Sequence, residues 1–111
     1  MSTPESAVVK ACLQYLVLKH VMAWRNNTGV ARPSRADGST GFLRFGAVGS
    51  SDIIGIMPDG RFLAVECKAK GGKLSEPQRF FLADIRKHGG VAIVVYSVDN
   101  LAVALALEGG R

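Results

Sequence analysis

Asp52, Glu66 and Lys68 stand inside or against two apolar runs, residues 53–57 and 61–70, where charge is expensive. Side chains alternate faces along a strand, so Phe62, Ala64, Glu66 and Lys68 share one face and Leu63, Val65 and Cys67 the other. Pro58-Asp59-Gly60 is a strong turn signal between the runs. If the turn occupies those residues, Ile56 meets Phe62, Ile54 meets Ala64 and Asp52 meets Glu66. The two carboxylates then lie side by side with β-carbons about 5 Å apart. Their repulsion at an effective dielectric near 20 is roughly 3 kcal/mol. A divalent cation removes that conflict, and magnesium takes oxygen ligands of this kind together with substrate phosphate. Lys68, one pair further along the same face, can support an attacking water or the charge developing on a phosphate. The chemistry indicated is metal-dependent phosphodiester hydrolysis. The plain alternative is an exposed Glu66–Lys68 ion pair with Asp52 capping a turn.

The elements that must hold these residues follow from spacing and punctuation. Thr3-Pro4-Glu5 opens a helix, with a cap, a first-position proline and a first-turn acid. Val8, Cys12, Tyr15 and Met22 carry it over residues 4–22, and residues 24–27 make a short strand. Residues 29–51 read as an exposed basic loop or open hairpin bearing Arg32, Arg35 and Arg44; tracking a phosphate backbone and plain solvation both suit it. After the two central strands, a helix starts at Ser75, with Gln78 at capping-box spacing, and ends at Gly89-Gly90. Val91 to Tyr96 reads as a strand buried on both faces, and Ser97 or Asp99 caps a last helix ending at Gly109. The expected fold is α/β, a small central mixed sheet flanked by helices, in one domain spanning residues 1–111.

Composition narrows the class. With 111 residues, 48% hydrophobic, the chain suits one modest core. A net charge of +5 points to an anionic partner, nucleic acid being the commonest. Cys12 and Cys67 fit no zinc spacing and sit in apolar contexts, as reduced thiols in a reducing compartment would. Lys10 and Lys19 interrupt the N-terminal apolar stretch, so neither a signal peptide nor a membrane span is indicated.

Asp52, thirteen intervening residues, then Glu66-Cys67-Lys68 resembles the PD-(D/E)XK nuclease superfamily. The segments WRNNTG (24–29), RFGAVGSSDIIGI (44–56), FLAVECKAKGGKLSEPQRFFL (62–82) and GGVAIVVYS (89–97) resemble, in order, the VRR-NUC family of virus-type replication-repair nucleases. The resemblance implies a restriction-endonuclease-like core. It implies metal-binding acids at Asp52 and Glu66, a catalytic lysine at Lys68, and a further ligand in the Cys67 backbone carbonyl. Gln78 matches a glutamine after the family's G-K-L-[ST] stretch, and its other reading is the capping box. Glu5 matches an acid on the first helix that often completes such sites, and its other reading is a helix-dipole acid. Asn26, Asn27, Lys73 and Ser75 match the pattern and are expected near DNA or the site edge, and Ser51 is expected at the DNA as well. Ser51 stands where the superfamily has proline, a change of turn shape rather than of chemistry.

Small stand-alone members of this family resemble Holliday-junction resolvases and are associated with phages and prophages. The expectation is therefore a Mg2+- or Mn2+-dependent endonuclease leaving 5′-phosphate and 3′-hydroxyl ends. It would act on branched DNA as a homodimer in the cytoplasm of a bacterial host, with no membrane partner. A nicking, flap or restriction-type nuclease, and a non-catalytic basic nucleic-acid-binding module, are the alternatives.

Overall fold

The computed structural model describes residues 3–26, 29–31, 43–45 and 49–109, with backbone alone for 29–31 and 43–45. Helix α1 (Pro4–Leu18) begins as its sequence predicts. The Thr3 hydroxyl accepts the Ser6 N–H at 3.0 Å, and the Ser6 hydroxyl accepts the Thr3 N–H at 2.8 Å. The helix stops at Leu18 rather than residue 22 because His20 takes φ 60°. His20 N–H then reaches the Val17 carbonyl (3.0 Å) and Val21 N–H reaches that of Leu16 (2.9 Å), closing the helix end in a Schellman motif. Val21 is thereby buried, and Met22 passes into β1 (Met22–Arg25), two residues ahead of the expected strand.

The chain continues through β2 (Gly29–Ala31) and β3 (Leu43–Phe45), β4 (Ile53–Ile56), β5 (Phe62–Cys67), α2 (Glu76–Lys87), β6 (Val91–Val95) and α3 (Val98–Leu107). β2 and β3 pair antiparallel as a separate ribbon, so the open-hairpin reading of this region fits their backbone. The main sheet has the order β1-β4-β5-β6. β5 and β6 run parallel because α2 carries the chain back between them; the other pairs are antiparallel. The fold is α/β, a mixed sheet with helices on both faces, compatible with the restriction-endonuclease-like core that the resemblance implies.

The two faces differ. Leu16 of α1 and Leu101 of α3 pack with Ile53, Leu63, Val65 and Val91 on one side. Cys12 and Cys67 belong to that cluster as buried free thiols. On the other side, Leu82 of α2 packs with Ile54, Ala64 and Ala92, flanked by the partly buried Leu74, Phe81, Ile85 and Val94. β6 is less buried than its composition predicts: Ile93 and Val94 are half-buried, and among the described residues β6 is an edge strand paired with β5 alone. In α3, Leu101 and Leu105 enter the core while Val103 and Leu107 face solvent. Among the described residues, no helix is long and apolar enough to cross a membrane.

Candidate active site

The β4–β5 hairpin sets the geometry. Met57 N–H donates to the Arg61 carbonyl and Gly60 N–H to the Met57 carbonyl, both at 2.8 Å, so the turn forms at Pro58–Gly60 as expected. The register pairs Ile56 with Phe62 and Ile54 with Ala64. One step beyond the paired residues, Asp52 comes to Glu66. Asp52 Oδ2 accepts the Cys67 backbone N–H at 2.8 Å, which fixes its carboxylate against the end of β5.

Gly49 brings the segment ahead of β4 against α2. Its φ is +79°, and a β-carbon there would collide with the Pro77 carbonyl oxygen, so only glycine allows this approach. Asn26, just past β1, grips the same segment. Its N–H donates to the Asp52 carbonyl (2.7 Å), and its side-chain amide donates to Ser50 Oγ (2.8 Å) and the Ser51 carbonyl (3.0 Å).

Glu5, Asp52 and Glu66 converge, each offering a carboxylate oxygen, with the three oxygens within 4.8 Å of one another. Glu5 arrives from the first turn of α1, whose body packs on the opposite side of the sheet. Glu66 is 1% exposed. Its Oε2 accepts from Gln78 Nε2 at 2.9 Å and lies 3.7 Å from Lys68 Nζ. Its Oε1 is buried without a hydrogen-bond partner. Burial, then the neighbouring Asp52 charge, push the Glu66 carboxyl from 4.5 up to about 8, against the opposing pull of Lys68. Three acids meet one lysine, and an orphaned buried carboxylate oxygen is left over. That donor set fits a hard divalent cation with oxygen ligands.

Gln78 closes the capping box and at the same time reaches the carboxylates. Its Oε1 accepts the Ser75 N–H (2.8 Å) and its N–H donates to the Ser75 hydroxyl (3.2 Å), completing the cap. Its Nε2 remains for Glu66. The cap thus aims the amide at the carboxylate. Lys68 is 8% exposed. A β-carbon on Gly72 would lie 3.3 Å and 3.4 Å from Lys68 Cβ and Cδ, so the loop after β5 closes down on the lysine stem. The Tyr96 hydroxyl donates to the Gly72 carbonyl at 3.1 Å and latches that loop.

The remaining expected residues spread outward. The Cys67 side chain lies in the opposite core, which leaves its main chain toward the carboxylates. Ser51 is buried, its hydroxyl unpartnered, and offers DNA no surface. Lys73 and Ser75 are exposed at the approach to α2. Asn27, Arg32 and Arg35 lie outside the described residues, and Arg44 is placed by its backbone alone. Sequence reading missed the Asn26 grip on the Asp52 segment and the Tyr96 latch. A tyrosine closing an apolar strand, with a hydroxyl to satisfy, was the available signal for the second.

A family model for the VRR-NUC domain matches residues 4–99, a span that includes Glu5, Asp52, Glu66, Lys68 and Gln78. Among curated proteins, no relative matches. The chain belongs to the VRR-NUC family, and its domain is that of a nuclease, with a carboxylate cluster able to take a metal ion.

Proposed function

We propose that this protein is a Mg2+- or Mn2+-dependent endodeoxyribonuclease selective for branched DNA, a four-way-junction resolvase acting as a homodimer. The observation that carries the metal-dependent part is the convergence of Glu5, Asp52 and Glu66 around a buried, unpartnered Glu66 oxygen. Asp52, Glu66 and the Cys67 backbone carbonyl would hold the ion, with Glu5 completing the set. When bound there, a divalent cation supplies charge to polarise a phosphate oxygen and to acidify water.

The chain's own groups do the rest. The Cys67 N–H fixes Asp52. Gln78 and Lys68 both address Glu66 Oε2, leaving Oε1 for the ion. Lys68, held down by the loop at Gly72, keeps its ammonium where an attacking water and the developing phosphorane charge would need it. Hydrolysis would leave 5′-phosphate and 3′-hydroxyl ends.

The junction and dimer parts rest on the family's small members and on symmetry. A four-way junction is nearly twofold, and a twofold dimer places two sites on opposing strands. The test is cleavage of a labelled four-way junction beside a linear duplex of the same arm sequence, with Mg2+, with Mn2+ and with EDTA. Paired, metal-dependent cuts confined to the junction are expected. Equal cutting of both substrates replaces the resolvase with a general nuclease of the same chemistry, and binding without cutting in any metal leaves a non-catalytic module. Sedimentation showing a persistent monomer removes the dimer.

A further inference from the structure

Beside the carboxylates, a shallow cleft lined by Glu5, Ser6, Arg25, Asp52 and Ala69 opens to solvent. It shares Ser6 and Arg25 with a second cleft, which runs on between α1 and β1 past Lys10, Ala11 and Gln14. The two form one path leading away from the site. Ser6, Lys10 and Gln14 are one helical turn apart and so stand in a row along α1. The row covers about 12 Å at 1.5 Å per residue, the axial length of about three to four nucleotides of a strand. Ala7 and Ala11 floor the path with small side chains.

Arg25 faces this side because it alternates with Trp24 along β1. Arg25 and Lys10 are both exposed, and among the described residues neither makes an ion pair. No acidic side chain lines the second cleft. A path floored by alanine, edged by unpaired cations and polar groups, and ending at the proposed metal site fits a phosphate backbone.

We propose that the α1–β1 cleft is the track of the DNA strand whose phosphate enters the site, with Arg25 and Lys10 as its phosphate contacts. Arg25, at the junction of the two clefts, takes the phosphate nearest the carboxylates, and Lys10 takes one further along the strand. The track rests on the nuclease reading for its direction, but its binding can be measured without cleavage.

The experiment is fluorescence anisotropy of a labelled junction in EDTA over a KCl series. The proteins are wild type, Arg25→Gln, Lys10→Gln, the double variant, and Lys87→Gln, an exposed cation on α2, as control. Each track substitution is expected to weaken binding about tenfold. Each should also lower the slope of log K against log salt by about 0.9, and the double by about 1.8. Mn2+ binding, read by electron paramagnetic resonance, should not weaken, since neither side chain is a ligand, and the melting temperature should stay at its wild-type value because both are exposed. Binding and slope equal to wild type in the double variant overturn the track. So does an equal loss in Lys87→Gln, which would mark a bulk charge effect, or a change of oligomeric state with the DNA slope intact, which would make the cleft a contact between copies. A wild type that binds DNA but never cuts it overturns the nuclease reading while the slopes still decide the track.

Discussion

The two ends of the β4–β5 hairpin both carry charge, and they treat it in opposite ways. At the turn end, Arg61 donates from Nε to Asp59 Oδ2 (2.8 Å), from Nη1 to Glu108 Oε1 (3.2 Å) and from Nη2 to the Glu108 carbonyl (2.9 Å). Each contact there is made in partial solvent, and the cluster staples the hairpin to the end of α3. At the open end, Glu5 and Asp52 are partly exposed and gather beside the buried Glu66 and Lys68, and one buried Glu66 oxygen has no partner. Charges that are hydrogen-bonded to one another at a partly exposed corner, where solvent screens the rest, contribute to structure and little else. Like charges gathered around a buried carboxylate raise one another's energy and are relieved by a ligand of opposite sign. The same strand pair therefore holds a fastener and a site.

The sharpest way to separate the ends is to cut the lysine. Lys68→Ala is expected to lower kcat on a junction by about 10³-fold or more while junction affinity in EDTA stays within about twofold, the loss being one of transition-state stabilisation. Full activity in that variant would take the lysine out of the mechanism. Asp52→Asn should come next, lowering the cleavage rate by about 10²-fold and shifting the metal titration to higher concentration. An unchanged titration midpoint means Asp52 is not a ligand.

The excess charge also predicts a pH dependence in the metal-free protein. Glu66 is pushed up to about 8 in the folded state from 4.5, so the folded protein keeps a proton that the unfolded chain has lost. Stability from this group is then full below pH 4.5 and is lost as pH rises toward 8. Saturating Mg2+ should flatten that fall, and Glu66→Gln should remove it along with metal binding. Thermal melts from pH 5 to 9 with and without Mg2+ check this; a fall of the same size in Glu66→Gln assigns it to another group. The smallest effect belongs to the fastener. Arg61→Ala should cost about 1 kcal/mol or less in a denaturant titration and leave kcat untouched. A cleavage defect there would couple the two ends and break the contrast.

Local physics was legible from the residues. Strand alternation and the Pro58–Gly60 turn place Asp52, Glu66 and Lys68 at one end of one face, and the observed register agrees. The Ser75–Gln78 cap was equally plain, because it is closed by residues three apart. The end of α1 was not. Apolar spacing continues through Met22, and a histidine in the left-handed region is a choice that helical periodicity cannot register. Similarly, the all-apolar composition of β6 says nothing of whether a neighbour covers its outer edge.

The sequence by itself determined the caps of the first two helices, the turn signal, the strand alternation and the identity of the three central charges, while the structure chose the register and Ser97 as the last cap. The former depend on dihedral preference or side-chain alternation over a few residues. Only the tertiary structure decided what those charges meet. It brings Glu5 from a helix packed on the far face, turns the free end of a capping glutamine onto Glu66, and ties Asn26 to a segment 24 to 25 residues away. It also lays the Gly72 loop on Lys68 under a tyrosine 24 residues on. These contacts cost loop closure that local preference cannot supply. They form because burying the two faces of the sheet brings distant segments to its open end, and the unmatched carboxylates gather there.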